Sequence, residues 1–279
     1  MTYNSLFSVL TDESLVEEAL SHAMATATQH DAHLDVLCLG VDRSQSGYYY
    51  SGASAIVLQE TIARAQEEGA AIEAKARAVL KNSSLRWGIE SGVSQLADLG
   101  RHVAARARFS DLVILPQPYG TGRGSELEPV TESALFEGGT PVLIAPTGGK
   151  PVPNPNRIMV GWNESSEALG AVRAALPLLR EADVVHVVVI DPPSHGPNRS
   201  DPGGLLSQFL SRHGVKVEID VLSKTLPRVS DVLLRHVRDM DADLVVMGAY
   251  GHSRFREAIF GGATRYMLEQ ATVPVFMAH

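Results

Sequence analysis

Short apolar runs alternate along the chain with longer stretches in which apolar residues recur at helical spacing. This pattern is typical of βαβ units, whose parallel strands are buried on both faces and are therefore apolar throughout. In the second half it predicts five strands, at Arg157–Gly161, Val184–Ile190, Lys216–Leu222, Leu244–Met247 and Val273–Ala278. Between them it predicts helices at Ser165–Arg180, Gly203–His213, Val229–Met240 and Ala263–Gln270. Ser165 or Ser166 is the expected N-cap of the first helix, and Gly214 the left-handed C-cap of the second.

The first half shows the same order of elements. Strands are predicted at Leu6–Leu10, Leu34–Gly40, Leu85–Glu90, Leu112–Leu115 and Val142–Ala145, with helices at Ser14–His30, Ser54–Lys81 and Gln95–Ala107. The sequence also repeats itself, since Asp111–Leu115 matches Asp243–Met247 and Thr140–Pro146 matches Thr272–Ala278. We therefore predict an α/β protein made of two tandem domains, each with a five-stranded, parallel, Rossmann-like sheet.

A stretch rich in proline and glycine, residues 146–155, lies between the two halves. Because such residues continue neither a helix nor a central strand, this stretch is the predicted linker. The expected domains are residues 1–147 and residues 156–279. The first half is longer, and its extra residues are expected in or near Arg43–Ser54, with the long helix Ser54–Lys81 accounting for some of the difference.

Charge and cysteine content narrow the class of protein. The chain has 279 residues and a net charge of −8, with no basic block of the kind that binds nucleic acid, so we predict no nucleic-acid partner. Cys38 is the only cysteine, which excludes an intramolecular disulfide and a cysteine-rich metal site. The N-terminus has no signal-peptide pattern, and no apolar run reaches the ~20 residues that span a bilayer. The chain is expected in the cytoplasm, without a membrane partner.

The residues that carry chemistry follow the fourth strand of the second half. Gly248 and Gly251 come directly after this strand, and Gly261 and Gly262 open the last helix, nine residues further on. Glycines let a ligand approach the backbone closely, and the N–H groups of a turn or a helix N-terminus bind phosphate. Thr264 adds a hydroxyl in the first helical turn. We find no GxxxxGK[ST] motif and no GxGxxG motif between a strand and a helix, which argues against a P-loop NTPase or a dinucleotide-binding domain.

The spacing Gly248-x2-Gly251-x9-Gly261, an opening strand followed by Asn163-Glu164-Ser165, and a closing Pro-Val strand resemble the universal stress protein family. The resemblance implies the adenine nucleotide alpha hydrolase-like fold and ATP binding, with or without Mg²⁺, because members with this glycine motif commonly bind ATP. It implies that Gly248, Gly251 and Gly261 contact ribose and phosphates, and that Asn163 and Val189 lie beside adenine. Gly262 stands where the motif has Ser or Thr, and Asn163 where the family usually has Asp.

The first half departs further from the motif. Pro116-Gln117-Pro118-Tyr119 replaces the first glycines of the loop, so two prolines remove N–H donors and phosphate binding is expected to be impaired. As in dimers of the family, we predict that the two domains form an intramolecular pseudo-dimer through Val142–Ala145 and Val275–Ala278; a further homodimer is possible.

Two alternatives stay open: a nucleotide-free interaction module, and an ATP-using enzyme. No nucleophile elbow, Ser/His/Asp arrangement or general base stands beside the glycine loop in the sequence. We therefore predict at most slow ATP hydrolysis or autophosphorylation.

Overall fold

The computed structural model describes residues 2–43, 55–192, 201–249 and 262–279, without the side chains of residues 55–58. The described chain forms two compact units. The first unit is Tyr3–Val142, and the second unit is Leu143–His279 together with the two N-terminal residues. None of the helices in these ranges is both long enough and apolar enough to cross a membrane.

The first unit is a parallel sheet with helices in its connections. Its strands are β1 (Ser5–Leu10), β2 (His33–Asp42), β3 (Arg86–Gln95) and β4 (Leu112–Pro116), in the order β3-β2-β1-β4, and β5 (Val142–Ala145) starts at its last residue. Its helices are α1 (Val16–His30), α2 (Ala55–Leu80), α3 (Leu99–Ala107) and α4 (Leu127–Glu132), and a π-helical turn, Ser133–Glu137, continues α4.

The second unit contains a five-stranded parallel sheet. Its strands are β6 (Arg157–Gly161), β7 (Val184–Ile190), β8 (Val217–Leu222), β9 (Leu244–Gly248) and β10 (Val275–Ala278), in the order β10-β9-β6-β7-β8. Its helices are α5 (Ser166–Ala174), α6 (Leu176–Leu179), α7 (Gly204–Arg212), α8 (Val229–Asp239) and α9 (Gly262–Gln270). The predicted α/β class with a parallel sheet is confirmed.

One carboxylate holds the first and fourth strands of each unit in register. In the first unit, Asp111 Oδ2 accepts the backbone N–H groups of Asn4 and Ser5, at 2.7 and 3.0 Å. In the second unit, Asp243 Oδ2 accepts those of Asn156 and Arg157, at 2.8 and 2.9 Å. The same contact at matching positions gives the sequence repeat a structural counterpart.

Some elements differ from the sequence prediction. The predicted helix Ser165–Arg180 is divided at Ala175 into α5 and α6, because Pro177 has no N–H to donate to a continuing helix. Helix α4 was not predicted. The extra length of the first half lies mostly in α2, which has 26 residues where α7 has 9. Gly40 allows α2 to lie against β2, since a Cβ there would be 1.7 Å from the Ala65 carbonyl oxygen.

Glu132, at the end of α4, gives the first unit a pH-dependent stability. Its Oε1 is buried and has no hydrogen-bond partner among the described residues. Burial, helped by the nearby charge of Glu128, raises the pKa of Glu132 from 4.5 to about 7. Because the folded state therefore binds the proton more tightly, its free energy of unfolding falls as the pH rises from about 4.5 to about 7.

Substituting Glu132 by Gln is expected to remove this penalty. The variant should be more stable than the native protein at pH 8 by about 1–2 kcal/mol, and the two should converge near pH 4.5. Urea denaturation at both pH values measures the difference. If the Glu132→Gln variant were more stable than the native protein by the same amount at both pH values, ionisation of the Glu132 carboxylate would not be the cause of the difference.

Candidate functional site

The order of strands reverses between β6 and β9 of the second unit. From β6 the chain continues to β7 on one side, and from β9 to β10 on the other. Gly161, the last residue of β6, is in register with Met247 of β9, so Gly248 at the end of β9 and Asn163 just beyond β6 lie at neighbouring strand ends. Open parallel sheets bind ligands at the carboxyl end of such a switch point. The structure therefore brings these two predicted site residues together.

Asn163 shapes the turn between β6 and α5. Its side-chain Oδ1 accepts the N–H of Ser165 at 3.2 Å, and Ser165 Oγ in turn accepts the N–H of Ala168 at 3.1 Å as the N-cap of α5. The Asn163 side chain is exposed, and its Nδ2 has no hydrogen-bond partner among the described residues. A hydrogen bond from this side chain to a ligand would therefore be donated by Nδ2. Asp12 holds the matching turn of the first unit, accepting the Ser14 N–H at 2.7 Å.

This turn predicts different outcomes for two substitutions. Asn163→Ala removes the acceptor for Ser165 N–H and should lower the free energy of unfolding by about 1 kcal/mol. Asn163→Asp keeps an acceptor oxygen in the same place, as in Asp12, and should be close to neutral. Thermal unfolding of both variants checks this. Equal losses would mean that the hydrogen bond does not support the turn.

Gly248 has a packing role that the sequence did not reveal. A Cβ at this position would lie 2.5 Å from the Ala168 backbone nitrogen and 2.7 Å from the Glu167 carbonyl carbon. The end of β9 thus lies directly against the first turn of α5. The absence of a side chain at Gly248 is required by the fold, and it keeps the backbone beyond β9 close to the switch point.

Val189 lies near the end of β7 and is 7% exposed. Its Cγ2 is 3.5 Å from the position that a Cβ on Gly203 would take, so the side chain packs beneath the start of α7. A ligand contact at this residue would involve its main chain.

The remaining predicted residues belong to the start of α9. Gly262 is its first residue, is exposed, and has no described atom within 4 Å of where its Cβ would be. Thr264, in the first turn of α9, is only 6% exposed. Gly251 and Gly261 lie outside the described residues, as does the rest of the loop between Ala249 and Gly262.

The two helix N-termini of this region differ in charge. The first turn of α5 contains Glu167. Hydrogen bonds from its own backbone N–H and from the hydroxyls of Ser165 and Ser166 hold the pKa of Glu167 below its usual value, and the charge of His279 adds to this effect. The first turn of α9 contains no acidic residue. Since the carboxylate already neutralises the positive end of α5, an anionic ligand is favoured at α9.

The corresponding edge of the first unit is filled by its own side chains. Pro116 ends β4 where Gly248 ends β9, and it is buried with the three residues that follow, through Tyr119. Further along this loop, the fully buried carboxylate of Glu126 accepts two hydrogen bonds from Arg43, at 2.8 and 3.3 Å.

A second ion pair attaches the same loop to α1. Arg123 Nη2 lies 2.7 Å from Glu18 Oε1, and both side chains are largely buried. No pattern in the sequence indicates these pairs, because their partners are 83 and 105 residues apart. Together they close the edge of the first unit that matches the glycine-loop edge of the second.

Two histidines that look scattered in the sequence meet at one carboxylate in the second unit. Asp220 Oδ2 lies 3.0 Å from His186 Nδ1 and 2.8 Å from His236 Nε2, and so links β7, β8 and α8. In the part of the chain that the structure describes, no group of three or more His, Cys, Asp or Glu side chains is arranged to hold a metal ion. The contact serves to fasten α8 to the outer strands.

The second unit is thus a parallel α/β module whose switch point lies between β6 and β9, at the carboxyl ends of its strands. Residues 155–279 match the family model of the Universal stress protein family. Over these residues the chain belongs to the universal stress protein family, which confirms the resemblance found in the sequence.

One known protein is similar to part of the chain in sequence, and several solved structures are similar to it in fold. The chain is 29% identical over 91 residues to universal stress protein Slr1230 of Synechocystis. This alignment covers 33% of this chain and 31% of that relative, so the chain spans about a third of the relative's length. Among solved structures it resembles a universal stress protein of Archaeoglobus fulgidus, with a TM-score of 0.68, 14% identity, and coverage of 98% of this chain and 96% of the other. A putative universal stress protein of Pseudomonas aeruginosa gives a TM-score of 0.58, 14% identity, and coverage of 99% and 93%. At this identity the likeness concerns the fold alone.

Proposed function

We propose that the second unit binds ATP or a related adenine nucleotide at the carboxyl edge of its sheet, and that the chain acts as a nucleotide-responsive stress protein. The observation that carries the proposal is the placement of Gly248. It ends β9 at the switch point of a universal stress protein domain, and it begins the glycine spacing that leads to the start of α9.

Each described site residue has a distinct role in this proposal. Asn163 donates from Nδ2 to the nucleoside, and the main chain of Val189 lies beside adenine. The N–H of Gly262 faces the phosphates at the N-terminus of α9, with Gly251 and Gly261 completing the cradle. Thr264 is buried in the first turn of α9, and its proposed role is to hold that turn in place. Mg²⁺ would arrive with the phosphates, since it keeps several water ligands when it is bound with a nucleotide.

The proposal concerns one nucleotide per chain. In the first unit, Pro116 and the buried ion pairs Arg43–Glu126 and Arg123–Glu18 occupy the matching edge. We therefore assign nucleotide binding to the second unit only.

The proposed activity is binding that changes conformation or partner affinity, with no rapid turnover. Among the described residues of the edge, Asn163, Ser165 and Gly262 offer hydrogen bonds, and none of these three carries an acid or base group that could accept a proton from an attacking water. Slow hydrolysis or autophosphorylation is the most that we propose.

Thermal unfolding of nucleotide-free protein tests the proposal. A ligand that binds the folded state must raise the unfolding temperature, and a concentration of 100 times Kd adds about 2.7 kcal/mol. We expect ATP with Mg²⁺ to stabilise the second unit, and CTP to do so less because its base lacks the purine edge. No shift at millimolar ATP would instead support a nucleotide-free interaction module.

A further inference from the structure

A cleft of about 450 Å³ opens between α5 and α7 in the second unit. Its size is within the range of small-molecule sites. Of the residues named for the nucleotide edge, Ser165 lines the cleft, whereas Asn163, Val189, Gly248 and Gly262 do not. Its apolar wall consists of Trp162, Leu169, Leu205, Leu206 and Phe209.

The cleft exists because α7 is short. Leu34 of β2 pairs with Trp87 of β3, and the matching pair in the second unit is Val185 of β7 with Val217 of β8. Counting back the same number of residues from Trp87 and from Val217 aligns Leu80, at the end of α2, with Leu210 in α7. Both leucines are fully buried. Helix α7 therefore corresponds to the last third of α2, and no described helix stands where the first two thirds of α2 cover the sheet of the first unit.

A change of residue type accompanies the shorter helix. The same alignment equates Lys75 of α2 with Leu205 of α7. Lys75 is paired with Glu17 of α1, at 3.4 Å between Nζ and Oε1. Leu205 instead leaves 73% of its surface exposed at the cleft. A charged surface position has thus become an apolar one, as expected where a ligand covers the side chain.

Charge is distributed unevenly along the cleft. The Arg173 guanidinium lies 5.9 Å from the centre of the Phe209 ring, and it is the cationic group among the lining side chains. Arg173 is two turns beyond Ser166, roughly 10 Å along α5. The lining carboxylates, Glu164 and Asp201, lie at the other end, where each precedes the first turn of a helix. The cleft thus has an apolar wall, a cationic end at Arg173 and an anionic end at Glu164 and Asp201.

We propose that this cleft binds an amphipathic organic acid, an aliphatic or aryl carboxylate. The apolar body lies on Leu169, Leu205 and Phe209, and the carboxylate pairs with Arg173, away from Glu164 and Asp201. Arginine holds a carboxylate through two parallel hydrogen bonds, which gives this end of the cleft its preference for acids. The site goes beyond the proposed nucleotide function and does not depend on it.

Calorimetric titration of the full chain with octanoate, and with octylamine as its cationic counterpart, tests the proposal. Octanoate is expected to saturate one site, with octylamine at least about tenfold weaker. Arg173→Gln should weaken octanoate by about tenfold or more, while Arg180→Gln, an exposed arginine beyond α6, should leave it unchanged. In a Trp87→Phe background, Trp162 is the only tryptophan, and its fluorescence should follow the titration.

Three results would overturn the proposal: no saturable octanoate binding at millimolar concentration, equal binding of octylamine, or unchanged binding by the Arg173→Gln variant. Saturating ATP should not displace octanoate. Loss of ATP binding with octanoate binding intact would count against the nucleotide site alone, so the two proposals fail separately.

Discussion

Substituting Gly262 by Glu is expected to abolish measurable ATP binding while leaving the second unit folded. The new carboxylate would stand at the N-terminus of α9, where the nucleotide phosphates are proposed to lie, and repulsion between like charges should weaken binding at least about 100-fold. No described atom lies within 4 Å of the new Cβ, and an acidic residue in the first turn favours a helix. Calorimetry with ATP and thermal unfolding without it measure the two effects separately.

Two variants serve as controls for Gly262→Glu. Gly262→Ser restores the residue type of the family motif and adds a donor, so ATP binding should be equal or tighter. Gln270→Glu adds the same charge at the other end of α9 and should leave ATP affinity unchanged. If Gly262→Glu binds ATP like the native protein, the phosphates do not lie at α9.

Substituting Gly248 by Ala is expected to destabilise the second unit by about 3 kcal/mol, because the added methyl group collides with backbone atoms at the start of α5. Backbone atoms cannot move aside as a flexible side chain can, so β9 or α5 has to shift. The unfolding midpoint should fall by about 10 °C. ATP binding should weaken as well, since the displaced strand end carries the glycine loop.

Gly161→Ala is the matched control for this variant. Gly161 ends the neighbouring strand β6, and a Cβ there would meet its closest atoms at 3.7 to 3.9 Å, an ordinary contact. This variant should lose far less stability than Gly248→Ala. Equal losses would mean that the close approach of β9 to α5 is not what requires glycine at position 248.

The elements that the sequence predicted best are the buried strands. The observed β6 and β7 have the predicted bounds, because their runs of Val, Ile and Met are apolar on both faces. The edge strand β3 was predicted too short. Only Ser94 in it is buried, and its last residues are held by main-chain pairing with β2, as far as Asp42 with Gln95. Because main-chain hydrogen bonds do not depend on the type of side chain, this pairing leaves no hydrophobic pattern in the sequence.

The candidate site was predicted in part. Glycine spacing located the strand end at Gly248 and the helix start at Gly262, because both depend on local backbone geometry. The tight packing of Gly248 on α5 was not visible, since its contacts come from residues 80 positions earlier in the chain. The ion pairs that close the first unit, and the cleft left by the short α7, likewise depend on which distant residues the fold brings together.

We propose that one nucleotide binds per chain, in the second unit. Calorimetric titration of nucleotide-free protein with ATP and Mg²⁺ measures this stoichiometry. We expect saturation at one ATP per chain, with this binding lost in the Gly262→Glu variant. Two ATP molecules per chain, or no binding at millimolar ATP, would contradict it.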